Sequence, residues 1–61
     1  MLTNKQNLYH AYQLGYNNAL TPNNNPFNDC PYNINQEEYD EWWKGYGDGS
    51  IELIIKENLS T

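Results

Sequence analysis

The chain has 61 residues, 15% of them aromatic, and three lysines with no arginine against eight carboxylates, for a net charge of -5. This balance argues against DNA and against the usual RNA binder, whose clustered Lys and Arg displace counterions from phosphates. No apolar run approaches the ~20 residues of a membrane span, and Cys30, the single cysteine, excludes an intrachain disulfide or a multi-cysteine metal site.

Taken in order, Thr3 and Gln6 form a capping-box pattern, Thr-x-x-Gln. Leu8, Ala11, Tyr12, Gly15 and Ala19 then recur at helical spacing, bordered by Tyr9 and Tyr16, and predict a helix over residues 4–20. Glycine costs a helix interior roughly 1 kcal/mol relative to alanine, so Gly15 points to a close contact. His10 reads as an exposed helix residue without a second histidine to pair with. The N-terminus, Met1 to Lys5, has no apolar run behind it. A cytoplasmic location is therefore expected, which also suits a lone free thiol.

Thr21-Pro22 ends this helix, because the residue before proline is pushed out of the helical region. Asn23-Asn24-Asn25-Pro26 continues as a polar connection, with Phe27 expected to fold back on the helices. In Cys30-Pro31-Tyr32, proline extends Cys30. A nucleophilic thiol wants a base or cation nearby, and only Asp29 is local, so Cys30 reads as packing.

Asn35 with Glu38 makes a second capping pattern. Tyr39, Trp42, Trp43 and Tyr46 follow at i, i+3, i+4 and i+7, an aromatic stripe on a helix expected over residues 35–47. Gly47-Asp48-Gly49-Ser50 reads as a turn. The tail, with Ile51, Leu53, Ile54, Ile55 and Leu59, fits either a short helix or a strand. Its length and the Glu52–Lys56 spacing favour the helix. A domain this small barely balances burial against chain entropy. A homodimer or higher oligomer is expected, with the tail contributing.

One pattern occurs twice. Tyr12, Gly15, Tyr16 and Ala19 match Trp42, Gly45, Tyr46 and Gly49 as aromatic-x-x-Gly-Tyr-x-x-small. Residues four apart share a helix face, so each copy makes a shallow groove flanked by rings. The expected architecture is therefore all-α: two helices crossing groove to groove, joined by a Pro/Asn-rich loop. A short C-terminal helix or strand would serve assembly, and the whole forms one small domain.

Ala11-Tyr12-Gln13-Leu14-Gly15-Tyr16, Cys30-Pro31-Tyr32 and Trp42-Trp43-Lys44-Gly45-Tyr46 together resemble the ribosome modulation factor family. Its pattern is Ala-x-x-x-Gly-Tyr, a loop with Cys-Pro-Tyr, and Trp-x-x-Gly-Trp. The resemblance spans roughly residues 11 to 49 and implies two helices joined by a loop. It also implies a ribosome-binding hibernation factor, a role that family fills with a basic surface. Here Tyr46 replaces the second tryptophan and the basic residues are missing.

All eight carboxylates lie from residue 29 onward. They read either as a solvated face or as a surface that attracts a basic partner. No phosphate loop, metal cluster or acid–base pair stands out, so a non-enzymatic protein without cofactors is expected. The leading reading is a small acidic regulator that binds and inhibits a basic protein of a host, as a phage or mobile element would encode. The alternatives are a ribosome-associated hibernation factor and a protein that sequesters a nucleotide-like ligand between rings. The candidate binding residues are Trp42, Trp43, Tyr46 and Tyr32, with Glu37, Glu38, Asp40 and Glu41 as the acidic part.

Overall fold

A computed structural model describes residues 4–59. It contains three helices: α1 (Asn4–Leu20), the single turn α2 (Pro26–Asp29), and α3 (Glu37–Leu59). Among the described residues the fold is all-α, as the periodicity predicts. The expected Thr3 cap lies outside those residues.

α1 and α3 run parallel. Asn4 lies beside Glu37, Tyr12 beside Asp48, and Ala19 beside Gly49, so the two helices advance together. The segment between them must therefore travel back along the pair. Thr21 closes α1, its hydroxyl donating to the Asn17 carbonyl at 2.8 Å. Asn23 reverses the chain at φ 60°, a left-handed conformation that asparagine tolerates. Pro26 opens α2, where its missing N–H costs nothing. The Asp29 carboxylate then accepts from Asn18 Nδ2 at 2.9 Å and from the Asn25 backbone N–H at 3.0 Å. These bonds hold the returning loop against α1 and keep the Asp29 pKa below its ordinary value. Farther back, the Asn33 N–H donates to Gln36 Oε1 at 2.7 Å, and Gln36 leads into α3. The helix thus starts two residues later than the Asn35 capping pattern suggests, at Glu37.

The seam is built from small residues. Ala11, Gly15 and Ala19 of α1 are buried against Trp42, Gly45 and Gly49 of α3. A Cβ on Gly15 would overlap the Trp42 carbonyl oxygen, and a Cβ on Gly45 the Tyr12 carbonyl oxygen. At Gly49 it would lie 2.7 Å from the Tyr16 carbonyl and 2.9 Å from the Ala19 methyl. The two backbones touch directly, and the rings of the repeated pattern flank the contact. Trp42 is the one large side chain in this core, 1% exposed. Burying so large a ring supplies apolar area that the small residues cannot.

The expected turn at Gly47-Asp48-Gly49-Ser50 does not form. α3 continues through it, and the tail is neither a strand nor a separate helix but the last turns of α3. Three contacts offset the poor helix propensity of the glycines. Gly49 is packed against α1, Asp48 accepts a hydrogen bond from Tyr12, and the Ser50 hydroxyl donates to the Tyr46 carbonyl at 2.9 Å. With 23 residues against 17, α3 outruns α1. At about 1.5 Å per residue, its C-terminal end projects beyond the cover that α1 provides. No helix among the described residues is long and apolar enough to cross a membrane.

Candidate functional site

The helix pair has two unlike flanks. The returning loop covers one, and an aromatic cluster gathers beneath it. Trp42 stacks on Tyr46 with ring centres 5.7 Å apart, and meets Trp43 edge-on at 5.1 Å. Trp43 is half-buried and also touches Tyr46 at 5.5 Å, Tyr39 at 6.2 Å and Phe27 at 5.4 Å. Its indole N–H is buried without an acceptor among the described residues. Phe27 does fold back onto α3, as expected, yet its ring stays 84% exposed. The Tyr46 hydroxyl donates to Asn24 Oδ1 at 3.0 Å and ties the loop to the cluster.

The opposite flank is polar and acidic. At about 3.6 residues per turn, Glu37, Glu41, Asp48 and Glu52 share one side of α3. From α1, Tyr12 donates its hydroxyl to Asp48 at 2.5 Å, and Tyr16 hydrogen-bonds Glu52. Both phenols are held protonated. The hydrogen bond to Asp48 is the main cause for Tyr12, whose pKa is pushed up to about 12. The bond to Glu52 raises Tyr16 in the same way. In front of these rings, Tyr9, Tyr12, Gln13, Tyr16 and Asn17 line a surface hollow of about 330 Å³.

The structure distributes the candidate residues rather than gathering them. Trp42 faces the core and is not presented to solvent, so the ring surface offered to a ligand is that of Trp43 and Phe27. Tyr46 is half-buried and occupied by Asn24. Tyr32 stands apart from the ring cluster, near Glu38; burial, then that carboxylate, raises its phenol pKa. The four acids at the start of α3 do not form one face. Glu37 accepts from Asn4 at 3.4 Å and, with Glu41, belongs to the tyrosine flank. Glu38 points to Tyr32, and Asp40 is exposed on the outward side. Cys30 is half-buried with its thiol 3.9 Å from the Tyr32 carbonyl, a packed position.

The tyrosine flank is the feature that pattern reading passes over. The spacing of Tyr9, Tyr12 and Tyr16, i, i+3 and i+7, marks a second aromatic stripe. Asp48 and Glu52 join it only if α3 runs through the glycines. Compared with protein-family models, with curated proteins and with solved structures, the chain matches none.

Proposed function

We propose that this chain is a small non-enzymatic regulator that binds a basic surface on a protein partner and inhibits it. The observation that carries this reading is the row Glu37, Glu41, Asp48 and Glu52 along one side of a continuous α3. Four carboxylates spaced along a rigid rod attract an extended basic partner and raise its encounter rate. Lys44 stands on the same side, between Glu41 and Asp48, and offsets part of the row; Lys56 lies 3.9 Å from Glu52, an exposed pair that is worth little. Self-association belongs to the same reading. Ile51, Ile54, Ile55 and Leu59 remain 58%, 57%, 52% and 80% exposed on the overhanging end of α3. A second copy of the chain would cover them.

Ribosome association is the second reading. In its favour, the motifs that resemble the ribosome modulation factor family sit at structurally used places. Gly15 and Gly45 make the seam, and Cys30-Pro31-Tyr32 lies in the returning loop. Against it stands the charge.

Changing Glu37 and Glu41 of the row together to lysine separates the two. Native protein and variant would be compared by capture from bacterial lysate at low and high salt, and by co-sedimentation with purified ribosomes. The expected result is salt-sensitive capture of a basic protein by the native chain, lost in the variant while helical content is kept. Ribosome co-sedimentation that strengthens in the variant would overturn the first reading in favour of the second.

A further inference from the structure

We infer that the hollow on the outer flank of α1, walled by Tyr9, Tyr12 and Tyr16 with Gln13 and Asn17, receives an arginine side chain of the partner. The inference rests on the basic-partner reading and specifies where, and by what chemistry, that partner is held.

The argument starts from the rings. Tyr12 and Tyr16 lie one turn apart with ring planes 25° from parallel and centres 6.4 Å apart. Tyr9 stands beside them, 63% exposed and without a role in the core. A centre spacing of 6.4 Å is too small for a planar group to slip between two rings. A guanidinium would instead lie across the ring faces, toward Tyr9. Ring faces carry negative quadrupole potential and attract cations. Here the attraction is reinforced, because Tyr12 and Tyr16 donate their protons toward carboxylates and so gain electron density. Both phenols are neutral at ordinary pH, and those bonds raise their pKa values further.

The carboxylates do a second thing. Asp48 and Glu52 lie behind the Tyr12 and Tyr16 hydroxyls, outside the lining of the hollow, and make the surroundings of the rings negative, though Lys56 stands 3.9 Å from Glu52. Gln13 and Asn17 add exposed amide oxygens to the wall. A flat cation with five N–H donors matches this set of ring faces and acceptors better than a compact, strongly hydrated ammonium. The space of about 330 Å³ admits a long side chain with part of its backbone. Beyond Lys44, Glu41 and Glu37 resume the acids toward the N-terminal end of α3, where further basic residues of an extended segment would lie. Charge complementarity therefore selects an arginine-bearing protein segment over a nucleic acid.

The test titrates the full chain with acetylated, amidated hexa-arginine, hexa-lysine and hexa-citrulline, by calorimetry and by NMR of the tyrosine rings. Hexa-arginine should bind severalfold more tightly than hexa-lysine and shift the Tyr9, Tyr12 and Tyr16 signals, while hexa-citrulline should not bind. Tyr9→Leu keeps apolar bulk but removes the ring face. It should weaken hexa-arginine about two- to fivefold, the size of an exposed cation–π contact, with circular dichroism unchanged. Tyr39→Leu, on the other flank, should leave that affinity alone. Equal affinity for the two basic peptides, unaltered by Tyr9→Leu, would overturn the arginine site and leave the acidic-surface reading standing. No binding of either basic peptide at low salt would overturn both.

Discussion

The two halves of α3 are one helix under two regimes. Residues 37–50 contain Trp42, Gly45 and Gly49, all buried, whereas none of residues 51–59 is buried. The first half is poor in aliphatic side chains and rich in glycine, yet it makes the core. The second half carries three isoleucines and two leucines and stays in solvent. The difference is α1, which lies against the first half and reaches the second only at its start, where Tyr16 meets Glu52. In a chain this short, burial follows closeness of backbone approach more than the apolarity of the segment.

The largest effect should come from closing that approach. Gly15→Ala or Gly45→Ala drives a methyl into the carbonyl oxygen of the opposing helix, which cannot move aside without parting the seam. A loss of roughly 3 kcal/mol is expected, read as a lower thermal midpoint or outright unfolding. Melting like the parent would place the helix contact elsewhere. At the other end, Ile54→Glu should disperse any dimer or oligomer in sedimentation while leaving helical content intact. A native chain that sediments as a stable 7.2 kDa monomer at micromolar concentration would show that the overhang needs no cover.

Gly47 is a control inside the same helix. A Cβ there meets nothing within 4 Å. Gly47→Ala should therefore stabilise the protein by roughly 0.5–1 kcal/mol through helix propensity, opposite in sign to the change at Gly45 two residues away. The smallest expected effect concerns the bond from α1 to the middle of α3. The folded Tyr12 phenol has its pKa raised to about 12 from 10.0. Its contribution is fully present below pH 10 and is lost as pH rises toward 12. Chemical denaturation across that window should show a decline in stability that Tyr12→Phe flattens. An identical decline in the variant would assign it to other groups.

Much of this was legible in the residues. The span of α1 follows from its apolar period. The seam follows from Gly15 with Ala19 and Gly45 with Gly49, since a glycine inside a helix has few uses other than close approach. The aromatic stripe of α3 also follows, though not that Trp42 would be enclosed while Trp43 and Phe27 keep an open face. The tyrosine flank was legible only by half. Its α1 side is a visible spacing, but its acids come from a segment whose local composition reads as a turn.

What the sequence determined by itself, then, is local: two helical periods, their small faces, the proline and asparagine that break the chain between them, and the excess of acid. Tertiary structure decided the rest. It set the helices parallel, because the loop carrying Asp29 and Asn24 is bonded back to Asn18 and Tyr46. It carried α3 through Gly47-Asp48-Gly49, because Tyr12, Tyr16 and Ala19 of α1 stand where Asp48 and Gly49 need partners. Helix propensity is worth about 1 kcal/mol per glycine, and a packed backbone contact with its hydrogen bonds outweighs it. No local pattern records a neighbour 30 residues away in the chain.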